Sequence, residues 1–212
     1  MPCVRHIIVC EGESEWGYLQ TLQGFLDQQP LLDGTFESPL RLITPRNAIA
    51  KSGRFADLKR CHVETRRQNK NTSIQIWTDF DLYHRNLNGC ATSYLGKARG
   101  LPDFLFSFHN FEDFLALHWE GDRFESWLRF GRSGHFETPL HAVGYLPEFQ
   151  RIFPNYSKAE LPLGFIGWPS LRNLKCNLAR QPSSNPHNLP NLQSFAGFLV
   201  GEIERAYPGR LG

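Results

Sequence analysis

The sequence predicts an α/β fold: a parallel sheet of four strands flanked by helices, with a helical cap after it. Three observations carry this. Short apolar runs alternate with stretches of helical period over residues 1–120, in the order β-α-β-α-β-α-β-α. The first run is mostly apolar without clean alternation, as in strands covered on both faces. Three of the four runs end at or near a carboxylate, the edge where open α/β sheets keep their ligands.

The first strand is Val4 to Cys10, and it stops at Glu11-Gly12-Glu13-Ser14-Glu15. Ser14 is the expected N-cap of a helix that carries Tyr18, Leu19, Leu22, Phe25 and Leu26 at the spacing of one buried face. Gln28-Gln29-Pro30 ends it, and Asp33-Gly34 marks a turn. Leu40 to Thr44 reads as the second strand and Asn47 to Arg54 as a loop. A helix follows from Phe55 to Gln68, then a third strand from Ser73 to Asp79. Asn86 to Gly89 reads as a loop and Ala91 to Arg99 as a short helix. Phe104 to Phe108 is the fourth strand, and Asn110 caps a helix that opens Phe111-Glu112-Asp113.

Strand signals fade after Trp119. Asp122 to Phe130 looks helical, and the glycine-rich Gly131 to Gly144 reads as a loop. Pro147 to Phe153, a segment begun by Pro169, and Leu192 to Ala206 read as further helices. Residues 121–212 are therefore expected to form a helical extension packed on a core of residues 1–120.

Bulk properties narrow the class. The chain has 212 residues, 41% of them hydrophobic and 21% charged, which is ordinary for a globular protein with one good core. No apolar run approaches the roughly 18 residues that span a bilayer, and Met1-Pro2-Cys3-Val4-Arg5-His6 lacks the features of a signal peptide. A cytoplasmic protein with no membrane partner is expected. Cys3, Cys10, Cys61, Cys90 and Cys176 are odd in number and form no Cys-x-x-Cys pair, against both a disulfide framework and a zinc knuckle. A net charge of +2 fits nucleic acid only through local basic clusters.

The chemistry-bearing residues are carboxylates. Magnesium takes hard oxygen ligands, and two-metal sites use several carboxylates over an in-line displacement. Glu11 and Glu15 bracket the first turn, Asp79 and Asp81 point the same way in extended chain, and Glu112 lies just past the fourth strand. Massed without a cation, such groups repel and some stay protonated. The competing reading is structural. Glu13, Glu15, Glu112 and Asp113 also suit helix N-termini through the macrodipole, and Asp79-Phe80-Asp81 suits a simple turn. Asp-x-Asp alone also occurs in phosphatases and nucleotide-sugar transferases, but Leu82-Tyr83 follow where the phosphatase pattern wants Thr or Val.

A strand ending Glu-Gly, a helix, and a later strand ending Asp-x-Asp together resemble the TOPRIM fold of topoisomerases, primases and overcoming-lysogenization-defect (OLD) nucleases. Within that group the chain is similar to RloB-like and related small TOPRIM proteins of phage-defence loci. The matching pieces are Ile8 to Glu15 with Tyr18, Asp79-Phe80-Asp81, Asn110-Phe111-Glu112 with Leu115, Leu117 and His118, Tyr156-Ser157-Lys158, and Asn185-Pro186. The spacing from Glu11 to Glu15 is closer to OLD-type families than to RloB-like chains.

The resemblance implies a nuclease dependent on Mg²⁺ or Mn²⁺, with one or two ions, acting on DNA or transfer RNA in anti-phage defence. Glu11 would be ligand or general acid/base. Glu15, Asp79 and Asp81 would bind metal, Glu112 would complete the shell, and Lys158 would stabilise the transition state. An ATPase partner from the same locus and a homo-oligomer are compatible with it. Lys59, Arg60, Arg66 and Arg67, with Lys70 beyond, would track a phosphate backbone or form a solvated helix face; Arg85, Lys97 and Arg99 are alternative substrate contacts. His118 reads as a packed core histidine before a ligand, and His109 matches no ligand spacing. The rival functions are a non-catalytic metal-binding sensor or assembly subunit of a defence complex, and a small-molecule phosphohydrolase.

Overall fold

The computed structural model describes residues 3–29, 38–80, 104–136, 141–154, 156–157, 160–180 and 193–212. Its centre is a parallel sheet of β1 (Val4–Cys10), β2 (Leu40–Ile43), β3 (Ser73–Asp79), β4 (Phe104–Ser107) and β5 (Gln193–Ser194), in the order β2-β1-β3-β4-β5. The chain leaves β1 toward β2 on one side and returns across β1 to β3. That reversal makes the carboxyl ends of β1 and β3 the topological switch point, where open α/β sheets bind ligands. In register, Cys10 stands opposite Trp77, so Glu11 and Asp79 emerge at that crevice.

Strand periodicity sorts the core into two layers. Ile7, Val9, Ile74, Ile76, Phe104 and Phe106 face one side, where α2 (Phe55–Gln68) covers them with Leu58 and Cys61. Ile8, Cys10, Trp77 and Leu105 face the other. There they meet α1 (Glu13–Leu26), α3 (Phe111–Ala116), α4 (Gly121–Phe130), α5 (Ala142–Ile152), α6 (Trp168–Leu178) and α7 (Phe195–Ala206). Both faces are covered, which is why the strands read as apolar runs. Residues after 120 share the larger core cluster with β1, α1 and β3.

The sheet has five strands where the sequence predicts four. The fifth is two residues long, too short to show a period of two, and pairs through Leu105 with Gln193 and Phe106 with Ser194. The C-terminal part is therefore not purely helical. Ser194 also caps α7, its hydroxyl accepting from Gly197 N–H, so the last helix starts at Phe195 rather than Leu192. Other boundaries differ as well: β2 ends at Ile43, β4 at Ser107, and α4 starts at Gly121. Gly12, not Ser14, caps α1, because the Glu15 carboxylate folds back to accept the Gly12 N–H at 3.0 Å. The segment expected as a loop after Ile43 contains a 3-10 turn at Arg46–Ala48. The segment expected as a loop after Phe130 begins with a wide helical turn at Gly131–His135, and α5 starts at Ala142 with Pro147 inside it. The predicted helix at Ala91 to Arg99 lies outside the described residues. Among the described residues no helix is long and apolar enough to cross a membrane.

Trp77 ties the layers together. It is fully buried, stacks on Phe195 at 3.6 Å between centroids, and meets Tyr18 and Phe114 edge-on. Its indole N–H donates to Ser107 Oγ at 2.8 Å, joining β3 to β4. Trp77→Ala should destabilise the protein by roughly 3–5 kcal/mol through the cavity it leaves. Ser107→Ala should cost about 1–3 kcal/mol by orphaning the indole N–H. Urea unfolding of both variants checks this, and Ser107→Ala unfolding at the wild-type midpoint would contradict the hydrogen bond's role.

Candidate active site

Glu11 is the first residue past β1. One carboxylate oxygen accepts the Thr78 hydroxyl at 2.5 Å and the Asp79 backbone N–H at 3.0 Å, both from β3. Its own backbone N–H donates to Trp77 C=O at 3.2 Å. The residue is thus locked in place by the neighbouring strand and remains half-buried. On its other side, Ser52 N–H donates to Glu11 C=O and Ala50 N–H to Cys10 C=O. Between them Lys51 is exposed and holds φ at +58°, in the left-handed region that non-glycine residues rarely adopt.

Glu15, in the first turn of α1, is only 4% exposed. Burial pushes its carboxyl up to about 8, and the charge of Glu11 and then of Glu112 adds to the rise; backbone hydrogen bonds, including that of Gly12, oppose it only in part. Glu13, two residues earlier, is exposed to solvent.

Glu112 is 2% exposed at the start of α3. Both of its oxygens accept phenols: Tyr145 Oη donates to Oε2 at 3.0 Å and Tyr156 Oη to Oε1 at 2.9 Å. Burial pushes both phenols far above the usual range, with the Glu112 charge next and the Asp79 charge also contributing. The Glu15 charge reaches Tyr156 as well. The charges of Glu11 and Glu112 thus act on Glu15, and those of Asp79 and Glu112 on the two phenols, although the four acids come from four separate places in the chain.

The neighbouring Asp113 braces this corner. Its Oδ2 accepts the backbone N–H of His109 at 3.0 Å and of Asn110 at 3.3 Å, and it pairs with His135 Nε2 at 3.1 Å. Its Oδ1 accepts Trp127 Nε1–H at 2.8 Å, and Asn110 Oδ1 returns a bond from Asp113 N–H. Burial alone would raise the carboxyl, but the His135 charge and hydrogen bond outweigh it and hold it below its ordinary value. Residues from α4 and the wide turn thus fix the start of α3, and with it Glu112.

His118 lies in the core, its Nε2 3.0 Å from Tyr18 Oη, and burial pushes the imidazole down to about 4. His109 is also buried, with its backbone on Asp113. The basic residues Lys59, Arg60, Arg66, Arg67 and Lys70 are exposed on or just past α2; Arg60 pairs with Asp57 at 3.2 Å. Asp81, Arg85, Lys97, Arg99 and Lys158 lie outside the described residues.

Among the described residues no three His, Cys, Asp or Glu side chains stand close enough together to hold a metal ion. The donor chemistry nevertheless suits a hard divalent cation: every one of these acids offers oxygen, and burial, with the charge of Glu11 adding to it, raises the Glu15 carboxyl. Glu112 differs from the others, because its two oxygens already accept tyrosine hydroxyls. Thr78 and the tyrosine pair are not marked by acid spacing. Tyr156 stands beside Lys158 in a motif piece, whereas Tyr145 follows a glycine-rich stretch with no local signal. Comparison with family models, curated proteins and solved structures finds no match.

Stability should carry the mark of Glu15. Its carboxyl is raised in the folded state, so its contribution is complete below the unfolded value of 4.5 and is lost as pH rises through about 8. His118 acts oppositely: its contribution is present above 6.5 and lost as pH falls toward 4. Between about pH 7 and 8 His118 is mostly neutral in both states, and of the two Glu15 dominates. In chelator, urea unfolding should show stability falling across that window, and Glu15→Gln should flatten the fall. An equal slope in the variant would contradict the assignment.

Proposed function

We propose that the chain is a divalent-metal-dependent nuclease of TOPRIM type, hydrolysing phosphodiester bonds of DNA or RNA in bacterial anti-phage defence. The observation that supports this reading is the meeting of Glu11 and Asp79 at the switch point of a parallel sheet, where Asp79 N–H donates to the Glu11 carboxylate, with Glu15 buried at the start of the next helix. The resemblance of the acid-bearing motifs supplies the reaction class.

Glu11, Glu15 and Asp79 would hold Mg²⁺ or Mn²⁺, with Asp81 two residues beyond Asp79. When bound, the ion supplies Lewis-acid activation of water and neutralises charge on the scissile phosphate. Glu11 keeps one oxygen fixed by Thr78 and Asp79 N–H, which orients its second oxygen without rotamer freedom. Glu15 would hold the ion as its carboxylate, the form that its burial disfavours without a cation. Glu112, held by Tyr145 and Tyr156, acts as an outer acceptor that orients the site. Lys59 and Arg67 form no ion pair among the described residues and supply phosphate contacts along α2. That helix starts beside the loop annealed to Glu11.

Cleavage of single- and double-stranded DNA and of transfer RNA, with Mg²⁺ and with Mn²⁺, tests the proposal. Glu11→Ala and Asp79→Ala should each lower the rate by about 10²-fold or more. Cleavage that survives both substitutions would sink the metal mechanism. Metal-dependent stabilisation without any cleavage, alone or with a partner ATPase, would favour the binding-subunit alternative.

The tyrosine pair gives a second, graded test. Tyr145→Phe and Tyr156→Phe should each lower cleavage by roughly ten- to a hundredfold and raise the metal concentration needed for half-maximal rate. Full activity in the double variant would remove Glu112 from the site.

A further inference from the structure

β2 lies at one margin of the sheet, and among the described residues only β1 pairs with it. In a parallel ladder, successive residues turn their backbone groups to opposite sides of the strand. Val4 N–H donates to Pro39 C=O at 2.8 Å, so Pro39, Arg41 and Ile43 turn theirs toward β1. Leu40 and Leu42 therefore aim their N–H and C=O groups out of the sheet. An edge of this kind is a template for another strand.

Gln23 of α1 stands where that strand would lie. Its Nε2–H donates to Leu40 C=O at 3.1 Å, and its Oε1 accepts Leu42 N–H at 2.8 Å. These two groups flank Arg41, and a single residue of a parallel neighbour would bond both. Nε2 also donates to Asp27 Oδ1 at 2.8 Å, and Asp27 Oδ2 pairs with Arg41 at 3.3 Å. The carboxamide is thus held in one orientation, nitrogen toward two acceptors and oxygen toward a donor. Leu19, Leu22 and Leu26 bury the inner face of α1, which sets the half-buried Gln23 at the margin of that face, beside β2. Ser38 Oγ also donates to Leu40 C=O at 2.7 Å, so Leu42 N–H is the outward group that relies most on Gln23.

We propose that Gln23 closes this edge of the sheet against a second copy of the chain. Two copies meeting β2 to β2 about a two-fold axis would pair antiparallel, each offering the other its outward N–H and C=O groups. With the carboxamide in place those groups are already bonded, and a partner strand must displace it to pair. The shortness of β2 and the charge of Arg41 act in the same direction. The device lies outside the carboxylate cluster and does not depend on the nuclease reading.

Sedimentation of the whole chain over a range of concentrations, with amide hydrogen exchange at Leu42, tests the proposal. In the wild type, Leu42 N–H should exchange as slowly as the amides that bond within the sheet. Gln23→Ala and Gln23→Met remove the carboxamide and keep good helix formers. Both should self-associate at concentrations about tenfold or more below any at which the wild type does. In dilute variant, Leu42 N–H should exchange roughly tenfold faster, and its protection should return as the copies associate. Thermal unfolding confirms that the variants are folded. A tie that only packs α1 on β2 would lower their stability without changing their mass. Variants that keep the wild-type mass at every concentration, or that associate without protecting Leu42 N–H, would overturn the proposal. So would fast exchange of Leu42 N–H in the wild type, a result that needs no variant to fold.

Discussion

The structure is organised around the cost of bringing like charges together. Parallel pairing of β1 with β3 delivers Glu11 and Asp79 to one crevice, and the two helices that follow β1 and β4 bring Glu15 and Glu112 to it. Like charges at close range in a partly dry site raise one another's proton affinity. The protein meets that cost in three ways. Glu11 is given a hydroxyl and a backbone N–H, Glu112 is given two phenols, and Glu15 keeps its proton. Helix-start acids gain their few tenths of a kcal/mol in solvent, as Glu13 does.

The C-terminal part supplies much of that compensation. Tyr145 comes from α5 and Tyr156 from the segment after it, while Trp127 and His135 hold Asp113 and so fix the start of α3. Phe195 of α7 closes the stack on Trp77 behind β3. These residues reach the sheet from one continuous aromatic layer. The crevice is thus built by the first half of the chain and braced by the second, which shares the larger of the two core clusters with it.

Much of this was legible in the sequence, for physical reasons. Strands buried on both faces leave unbroken apolar runs, so β1, α2 and β3 have in the structure the boundaries read from the sequence. Acids at strand ends stand out because charge rarely interrupts such runs. What stayed hidden depends on long-range partners. Gly12 displaces Ser14 as the cap because of where the Glu15 carboxylate turns, which no local preference reveals. β5 is too short for any period. Tyr145 meets Glu112 across 33 positions of sequence, and α5 contains Pro147, which disguises the helix that carries it.

The packing around α3 also bears on how the chain works as one unit. That helix has six residues, Phe111–Ala116, and every one is buried. Its first turn presents Glu112 to two phenols, and the residues just past its end, His118 and Trp119, line a cleft. So short a buried helix cannot bend along its length; a displacement at one end must be carried as a rigid shift. Tyr18 on α1 bonds His118 one turn beyond Glu15, and Tyr156 bonds Glu112 beside Phe153. Both ends of α3 are thus tied to the elements that hold the acids. Phe153 packs on Tyr156, so the ring that sets the position of Tyr156 Oη also sets the orientation of Glu112, whereas Glu11 is held independently by β3.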